Sequence, residues 1–268
     1  MPGQVIYTNT YTLNAQRHLS KNSLALSSAI ERLSSGLRVN SSRDDAAGMA
    51  VAQRMEADAR GLTVAIRNAS DGISFGQTAD GALGTVASIL QRMRELTVQG
   101  MSETIGSAER GYLDKEYQEL HKEITALQGA STLNNQSVFG TFNFQAGAAS
   151  GQFIQGVFTS VDAPATSSIA GATTATAAAA MADIDTALNA VAEARAQAGS
   201  VMTALEFRIQ QLETARENQY AARSRIMDAD FAAETANMTR AQILQQSGTA
   251  MVAQANAIPQ NVLTLLRG

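Results

Sequence analysis

The chain has 268 residues and a formal net charge of −4, with 45% apolar, 16% charged and 5% aromatic residues and neither cysteine nor tryptophan. Absence of cysteine excludes disulfides, thiolate zinc sites, iron–sulfur clusters and cysteine nucleophiles, and the charge balance leaves no basic footprint for nucleic acid. Charged residues fall well below the roughly 25% of an average domain, so the polar surface rests on Gln, Asn, Ser and Thr. In chain order, Met1 to Ser20 is polar and aromatic, without the apolar run of about 7–15 residues of a Sec-type signal. Secretion by a cleaved signal peptide is therefore not expected, and other export routes stay open. No segment reaches the length of about 18 strongly apolar residues that marks a membrane span. The three prolines stand at 2, 164 and 259, so residues 3–163 run without a proline break, which predicts long helices.

The first helix is expected from about Asn14 to Leu37. Leu19, Leu26 and Leu33 recur every seven residues, with Ile30 and Leu37 at the offset positions and a gap at Ser23. The stretch Gly36 to Ser42 interrupts it. Ser42 followed by Asp45 resembles a capping box, with Asp44 also favourable near a helix start, so a second helix should begin here. Ala52, Met55, Ala59, Leu62, Ile66, Ala69 and Ile73 lie along one face of it. Leu83, Val86, Leu90, Met93 and Thr97 repeat the same steps. Gly72, Gly76, Gly81 and Gly84 weaken the join, leaving one long helix or two. A shorter helix from about Ser107 to Leu127 follows, antiparallel to its predecessor if residues 100–106 turn back.

Residues 129–180 lose the helical period. Phe142 and Phe144 alternate with Asn143 and Gln145, AGAASG makes a turn, and Phe153 to Phe158 resumes, which reads as a β-hairpin at about 138–158. The Ser/Thr/Ala-rich sequence at 159–180, ending in ATTATAAAA, reads as a spacer by composition. From Asp183 the helical period returns through Ile184, Leu188, Val191, Ala198, Met202, Leu205, Ile209 and Leu212, interrupted by Arg195. At the chain end Leu244, Met251, Ile258 and Leu265 recur every seven residues, with Gly248, Ala255 and Val262 at a second position. Pro259 is tolerable in a helix only with a kink or break. The fold expected is mainly α: long antiparallel helices forming coiled coils and a rod-like bundle, with a small β-hairpin region. The terminal stripes pack either on each other or on other copies of the chain, and periodicity leaves both open.

No catalytic constellation emerges, and no cofactor or metal is expected. The two histidines, His18 and His121, have no His-Glu-x-x-His spacing and no Ser/Asp set around them. The glycines form no phosphate-binding motif. Glu116, Glu119 and Glu123 lie at the spacing of a solvated helix face, and Asp44 and Asp45 are better explained as helix-start charges than as a metal site.

Three ordered motifs carry a family resemblance. LNAQRHLSKNSLALSSAIERLSSGLRVNSSRDDAAGMAVAQRM (Leu13 to Met55), LQRMRELTVQG (Leu90 to Gly100) and the closing run from Ser224 to QNVLTLLRG resemble bacterial flagellins, and TFNFQAGAASGQFI resembles the hairpin of that family. The likeness covers the chain apart from about 159–180. It implies an inner core in which residues 1–42 and 228–268 form the two halves of a coiled coil inside a helical filament. It also implies a rod-like helical domain over 43–227 and, since outer domains would be inserted at the spacer, a short form lacking them. The resemblance further implies a filament subunit for swimming motility, found outside the cell. Export would be through the flagellar type III apparatus, with terminal segments that order only on assembly. Implied partners are other copies of the chain, the flagellar cap, hook-junction proteins and an export chaperone.

On this reading Leu19, Leu26, Ile30, Leu33, Leu37, Leu244, Met251, Ile258, Val262 and Leu265 would be buried only in the polymer. In flagellins the LQRxRELxVQ helix forms part of a surface recognised by Toll-like receptor 5. Arg92 and Leu96 match its positions, and Glu116 is a third candidate. Two roles remain: filament subunit, or hook–filament junction protein built on the same terminal coiled coil. The match through QNVLTLLRG favours the filament. A metalloprotease carried in the insertion is excluded by the missing His-Glu-x-x-His.

Overall fold

A computed structural model describes residues 9–169 and 174–267, with side-chain surroundings for 9–169 and 177–257. The helices are α1 (Thr10–Ser35), α2 (Ala46–Gly100), α3 (Ser107–Ala130), α4 (Thr174–Met227) and α5 (Phe231–Arg267). Between α3 and α4 lie two antiparallel pairs, β1 (Thr132–Leu133) with β2 (Gln136–Ser137) and β3 (Gly140–Gln145) with β4 (Phe153–Phe158). The chain divides into two compact units, residues 58–218 and residues 1–57 with 219–268. The first of these holds most of the buried apolar side chains.

In the unit 58–218, α2 is continuous through all four glycines. Two of them are contact points. A Cβ on Gly72 would stand 3.0 Å from Leu205 and Phe144, and one on Gly76 would stand 2.7 Å from Met202. Burial of the neighbours outweighs the roughly 1 kcal/mol that each glycine costs a helix. Arg195, which breaks the apolar face of α4, forks onto Asp80 of α2 with Nε–Oδ1 at 2.7 Å and Nη2–Oδ2 at 3.2 Å. Leu83, Val86, Leu90, Met93 and Leu96 of α2, Tyr117 and Ile124 of α3, and Ile184 and Val191 of α4 share one core. Arg92 meets Glu116 across the connection 101–106, so α3 runs back antiparallel to α2.

The expected hairpin is present, in register Phe142↔Gly156 and Phe144↔Ile154. Its inner face places Phe142, Phe144 and Phe158 against Phe75 of α2, and Phe75 and Phe142 stand 5.2 Å apart. Gly156 is required there, since a Cβ on it would come within 2.9 Å of the Phe144 ring. The smaller pair β1–β2 turns through Asn134 and Asn135 at φ 51° and 63°, a left-handed conformation that Asn tolerates.

The spacer expectation is corrected at its end. Helix α4 already runs from Thr174, and Ala177 and Ala180 are buried. Alanine is the strongest helix former and packs here without a bulky side chain, so the composition that suggested a spacer is a helix start. Residues 170–173 lie outside the described residues. The remainder, 161–169, is an extended strap held along α3 by side chains reading its backbone. Gln128 bonds both the N–H and the carbonyl of Val161, and His121 Nε2 donates to the Pro164 carbonyl at 2.9 Å. The Tyr117 hydroxyl donates to Thr166 at 3.0 Å, and the Asp114 carboxylate accepts from the Ile169 N–H at 2.6 Å. Asp183 of α4 accepts the Thr166 N–H at 3.0 Å.

Tyr117 is wholly buried, and that burial, aided by the charges of Asp183 and Asp114, pushes its phenol up to about 12. The neutral phenol is thus favoured in the fold. Its stabilisation is complete below the ordinary value of 10.0 and drains away as pH rises from there to about 12. Melting temperature should therefore fall more steeply between pH 10 and 12 in the parent than in Tyr117→Phe. Equal slopes would reject this account of Tyr117.

Candidate assembly surface

The unit formed by 1–57 and 219–268 is organised by the antiparallel pair α1 and α5. Asn9 caps α1, its Oδ1 accepting the Thr12 N–H at 3.1 Å while its Nδ2 donates to the Ala255 carbonyl at 2.9 Å. At the other end Gly36, at φ +70°, closes α1 in the left-handed conformation that glycine adopts freely. The chain then pairs with the end of α4, with Arg38 N–H to Met227 at 2.6 Å and Ala229 N–H to Gly36 at 3.0 Å. Asp230 caps α5 through the N–H groups of Ala232 and Ala233 at 2.9 and 3.1 Å. The cap of α2 is Asp45, whose Oδ1 accepts the Gly48 N–H at 2.8 Å, rather than Ser42. Asp44 serves the preceding turn. Hydrogen bonds from the Ser41 backbone and then its hydroxyl hold the Asp44 carboxyl below the usual range.

The helix register differs from the one that the leucine spacing suggests. On α1 the residues withdrawn from solvent are Leu19, Leu26 and Leu33 together with Ala15, Asn22 and Ala29. Ile30, expected on the same seam, is 48% exposed, and Leu37 is half-buried beyond the helix end. On α5 the inward positions are Glu234, Ala241, Gly248 and Ala255, alternating with Met238, Gln245 and Val252. Leu244 and Met251, expected at the seam, are 45% and 65% exposed. The side chains of Ile258, Val262 and Leu265, and Pro259 with them, lie outside the described residues, although α5 continues through their backbone.

Close approach explains the register. A Cβ on Gly248 would stand 3.2 Å from Leu19 Cδ1, so the glycine admits the leucine. Small residues on alternate seam positions let the backbones approach and turn the larger side chains outward. The pair is pinned by Arg32 Nη1 to Glu234 Oε1 at 3.1 Å and by Thr12 to Asn256 at 3.1 Å.

What this packing leaves outside is an apolar surface. Tyr11, Leu13 and Leu24 on α1 and Phe231 and Ile243 on α5 are all mostly exposed. Leu13 and Leu24 stand eleven residues apart, about three helical turns, and therefore on one line. That spacing was the available signal for an outward stripe, and the heptad count passed over it. A groove between the helices is lined by Tyr11, His18, Lys21, Leu244 and Met251, and a second depression on α5 by Phe231, Thr235 and Ile243. The apolar linings of these two depressions are candidates for association surfaces.

The second set of expected residues lies on α2 and α3. Arg92 Nε donates to Glu116 Oε1 at 2.9 Å and its Nη1 to Glu95 Oε2 at 3.0 Å, on the exposed surface. The hydrogen bond to Glu116 first, and then that to Glu95, raises the Arg92 guanidinium above its ordinary value. Leu96 is corrected: it is fully buried in the core of α2, α3 and α4, so no partner can touch it. His121 is spent on the Pro164 carbonyl, and His18 lines the groove. Among the described residues no three His, Asp or Glu side chains could hold a metal, and no helix is long and apolar enough to cross a membrane.

Comparison with known proteins bears on both surfaces. The bacterial flagellin N-terminal helical region matches residues 6–143, and the bacterial flagellin C-terminal helical region matches residues 181–266. A flagellin of Halalkalibacterium halodurans is 44% identical over 98% of this chain and 100% of its own length. The flagellar filament 33 kDa core protein of Treponema phagedenis is 35% identical over 98% and 100% of the two chains. A crystal structure of Bacillus cereus flagellin covers 55% of this chain and 88% of its own, at 28% identity and a TM-score of 0.47.

The geometry separates two kinds of substitution on α2. Leu96→Ala should cost about 2–5 kcal/mol in urea unfolding, because it opens a cavity in a packed core. Arg92→Ala should leave the unfolding midpoint nearly unchanged, as expected for an exposed ion pair. Similar losses for the two would mean that one of these placements is wrong.

Proposed function

The chain belongs to the bacterial flagellin family, whose members are structural subunits of the flagellar filament outside the cell, and we propose that it builds that filament through the outward faces of α1 and α5. It is a short form of the family, the two matched regions being separated only by residues 144–180. The observation that carries the reading is that Leu13 and Leu24 on α1 and Ile243, Leu244 and Met251 on α5 all stay exposed on a helix pair whose seam alternates small residues with Leu19, Leu26 and Leu33. A surface that fits a different surface of the next copy makes a non-closing contact, and repetition of it gives an open helical filament.

On this proposal residues 1–42 and 228–268 form the filament's inner core, and residues 43–227 form the domain around it. Leu19, Leu26 and Leu33 hold α1 on α5. Ile30, Leu244 and Met251 bury against neighbouring copies, while the side chains of Ile258, Val262 and Leu265, the other expected assembly residues, lie outside the described residues. An isolated helix pair with this much apolar exposure is marginal in water and gains its stability from packing. Ordering of the termini is thereby coupled to incorporation, which suits a chain exported unfolded by the flagellar type III apparatus. An export chaperone, the cap and hook-junction proteins are its further partners, and the chain has no catalytic role. The pair of Arg92 and Glu116 forms the contact surface for Toll-like receptor 5, with Leu96 supporting it from the core.

Leu244→Asp places a charge on an exposed position, where substitutions shift stability by about 0.5 kcal/mol or less. It should melt as the parent does yet fail to elongate filament seeds under the electron microscope. Chains lacking residues 1–35 or 235–268 should likewise stay soluble and unpolymerised. Filaments from any of these three would overturn the assembly surface, and a parent chain that adds to seeds but never grows long filaments would identify a junction protein instead. For the receptor surface, Arg92→Ala should lower the response of reporter cells to free subunit. An unchanged response removes Arg92 from the contact.

A further inference from the structure

The ten methionines of the chain differ sharply in their access to solvent. Among the described residues Met93 and Met227 are buried, and Met49, Met55, Met101, Met181, Met202 and Met238 are partly covered. Met251 alone among the described methionines is exposed, at 65%. It lines the groove between α1 and α5 together with Leu244 of its own helix and Tyr11 and His18 of α1. A thioether has no proton whose loss could activate it, so accessibility decides which methionine an oxidant meets first.

We propose that Met251 is a peroxide-reactive site whose oxidation removes the free subunit from assembly. The proposal rests on the filament reading above. A lone pair of the Met251 sulfur attacks one oxygen of hydrogen peroxide. An S–O bond forms as the O–O bond breaks, and the departing hydroxide takes the remaining peroxide proton and leaves as water. The sulfur is oxidised by two electrons and the peroxide is reduced.

A flexible apolar side chain thereby becomes a polar one with a strong acceptor oxygen. In the free chain that oxygen is hydrated at no cost. On incorporation it must lose its water to an apolar neighbour that offers no donor, so growth is penalised where folding is not. A neighbour that covers Met251 also shields it, which confines the reaction to subunits not yet built in.

The test compares full-length parent, Met251→Leu and Met251→Gln chains. Free subunits are treated with hydrogen peroxide, mapped by peptide mass spectrometry and offered to seeds, and grown filaments receive the same treatment. Met251 should gain one oxygen before Met93 or Met227 in the free parent and stay unmodified in filaments. Seeded growth of the oxidised parent should fall about tenfold or more, as expected for a buried polar group without a partner, and methionine sulfoxide reductase should restore it. Whatever its untreated growth rate, Met251→Leu should lose no growth on peroxide treatment, and Met251→Gln should fail without it.

Several outcomes overturn the proposal: Met251 oxidised without loss of growth, oxidation equally fast in filaments, normal growth of Met251→Gln, or peroxide stopping Met251→Leu as it stops the parent. If untreated parent does not grow at all, the filament reading falls and takes the proposal with it. If Met251→Leu alone fails untreated, reductase rescue of the oxidised parent decides.

Discussion

The close approach of α1 to α5 across Gly248 is the constraint on which the terminal unit depends. Two helices meeting through Ala15, Ala29, Ala241, Gly248 and Ala255 have little room between them for large side chains. Leucines at 19, 26 and 33 occupy the alternate positions, and the rest of the apolar complement is turned outward. A Cβ on Gly248 would press on Leu19 Cδ1 at 3.2 Å, and the leucine would have to give by a few tenths of an ångström. A seam of larger residues would have buried Leu244 and Met251 within the chain and left nothing to offer a neighbour. The glycine that admits Leu19 and the outward turn of Leu244 and Met251 are thus one arrangement seen from two sides.

The unit 58–218 is built on the opposite principle. Its large apolar side chains are inside: Leu83, Leu90, Met93, Leu96, Tyr117 and Ile184 are all but inaccessible to water. Its irregular backbone is satisfied by side chains, with Gln128, His121, Tyr117 and Asp114 spaced along α3 to meet Val161, Pro164, Thr166 and Ile169 of the strap. A buried carboxylate that accepts a backbone N–H loses far more by removal than an exposed pair such as Arg92 with Glu116. The chain therefore joins a self-sufficient core to a helix pair that is not self-sufficient.

Sequence periodicity carried the secondary structure well where one physical effect dominated. The alternation of Phe142 and Phe144 placed the hairpin, and the three-and-four steps of α2 placed its buried face. It failed where two effects compete. Leucines every seven residues at the chain end mark a stripe, but nothing in their spacing says whether the stripe faces α1 or a neighbour. The backbone distance allowed by Gly248 and Ala255 decides that, and it is a property of the pair. The alanines before Met181 were read as a spacer because compositional bias masks helix propensity. Asn134 and Asn135 form the turn between β1 and β2 in the left-handed conformation without a glycine, the residue whose presence usually signals such a turn. Leu96 matched a recognition motif by position, yet a motif does not separate the side chains that touch a partner from those that hold the helix in place.

The low charge fraction follows from this division. With 16% charged residues, the chain has little charge to pair, and the partly enclosed pair of Arg32 with Glu234 sits where α1 must be matched to α5. Charges along the outward face of α5 would repel each copy from the next and would each have to be desolvated on burial, which costs more than a surface pair returns. Threonine and alanine carry no such penalty, and the depression between Phe231 and Leu244 is lined by Ala232, Thr235, Ala236, Thr239 and Ile243 with one charged residue, Arg240. Their hydroxyls are turned back on their own helix, Thr235 donating to the Phe231 carbonyl at 2.6 Å and Thr239 to the Thr235 carbonyl at 2.9 Å. A hydroxyl satisfied within its own helix can be buried by a neighbour without needing a partner there. That local bonding makes a polar-looking helix face suitable for packing against other copies.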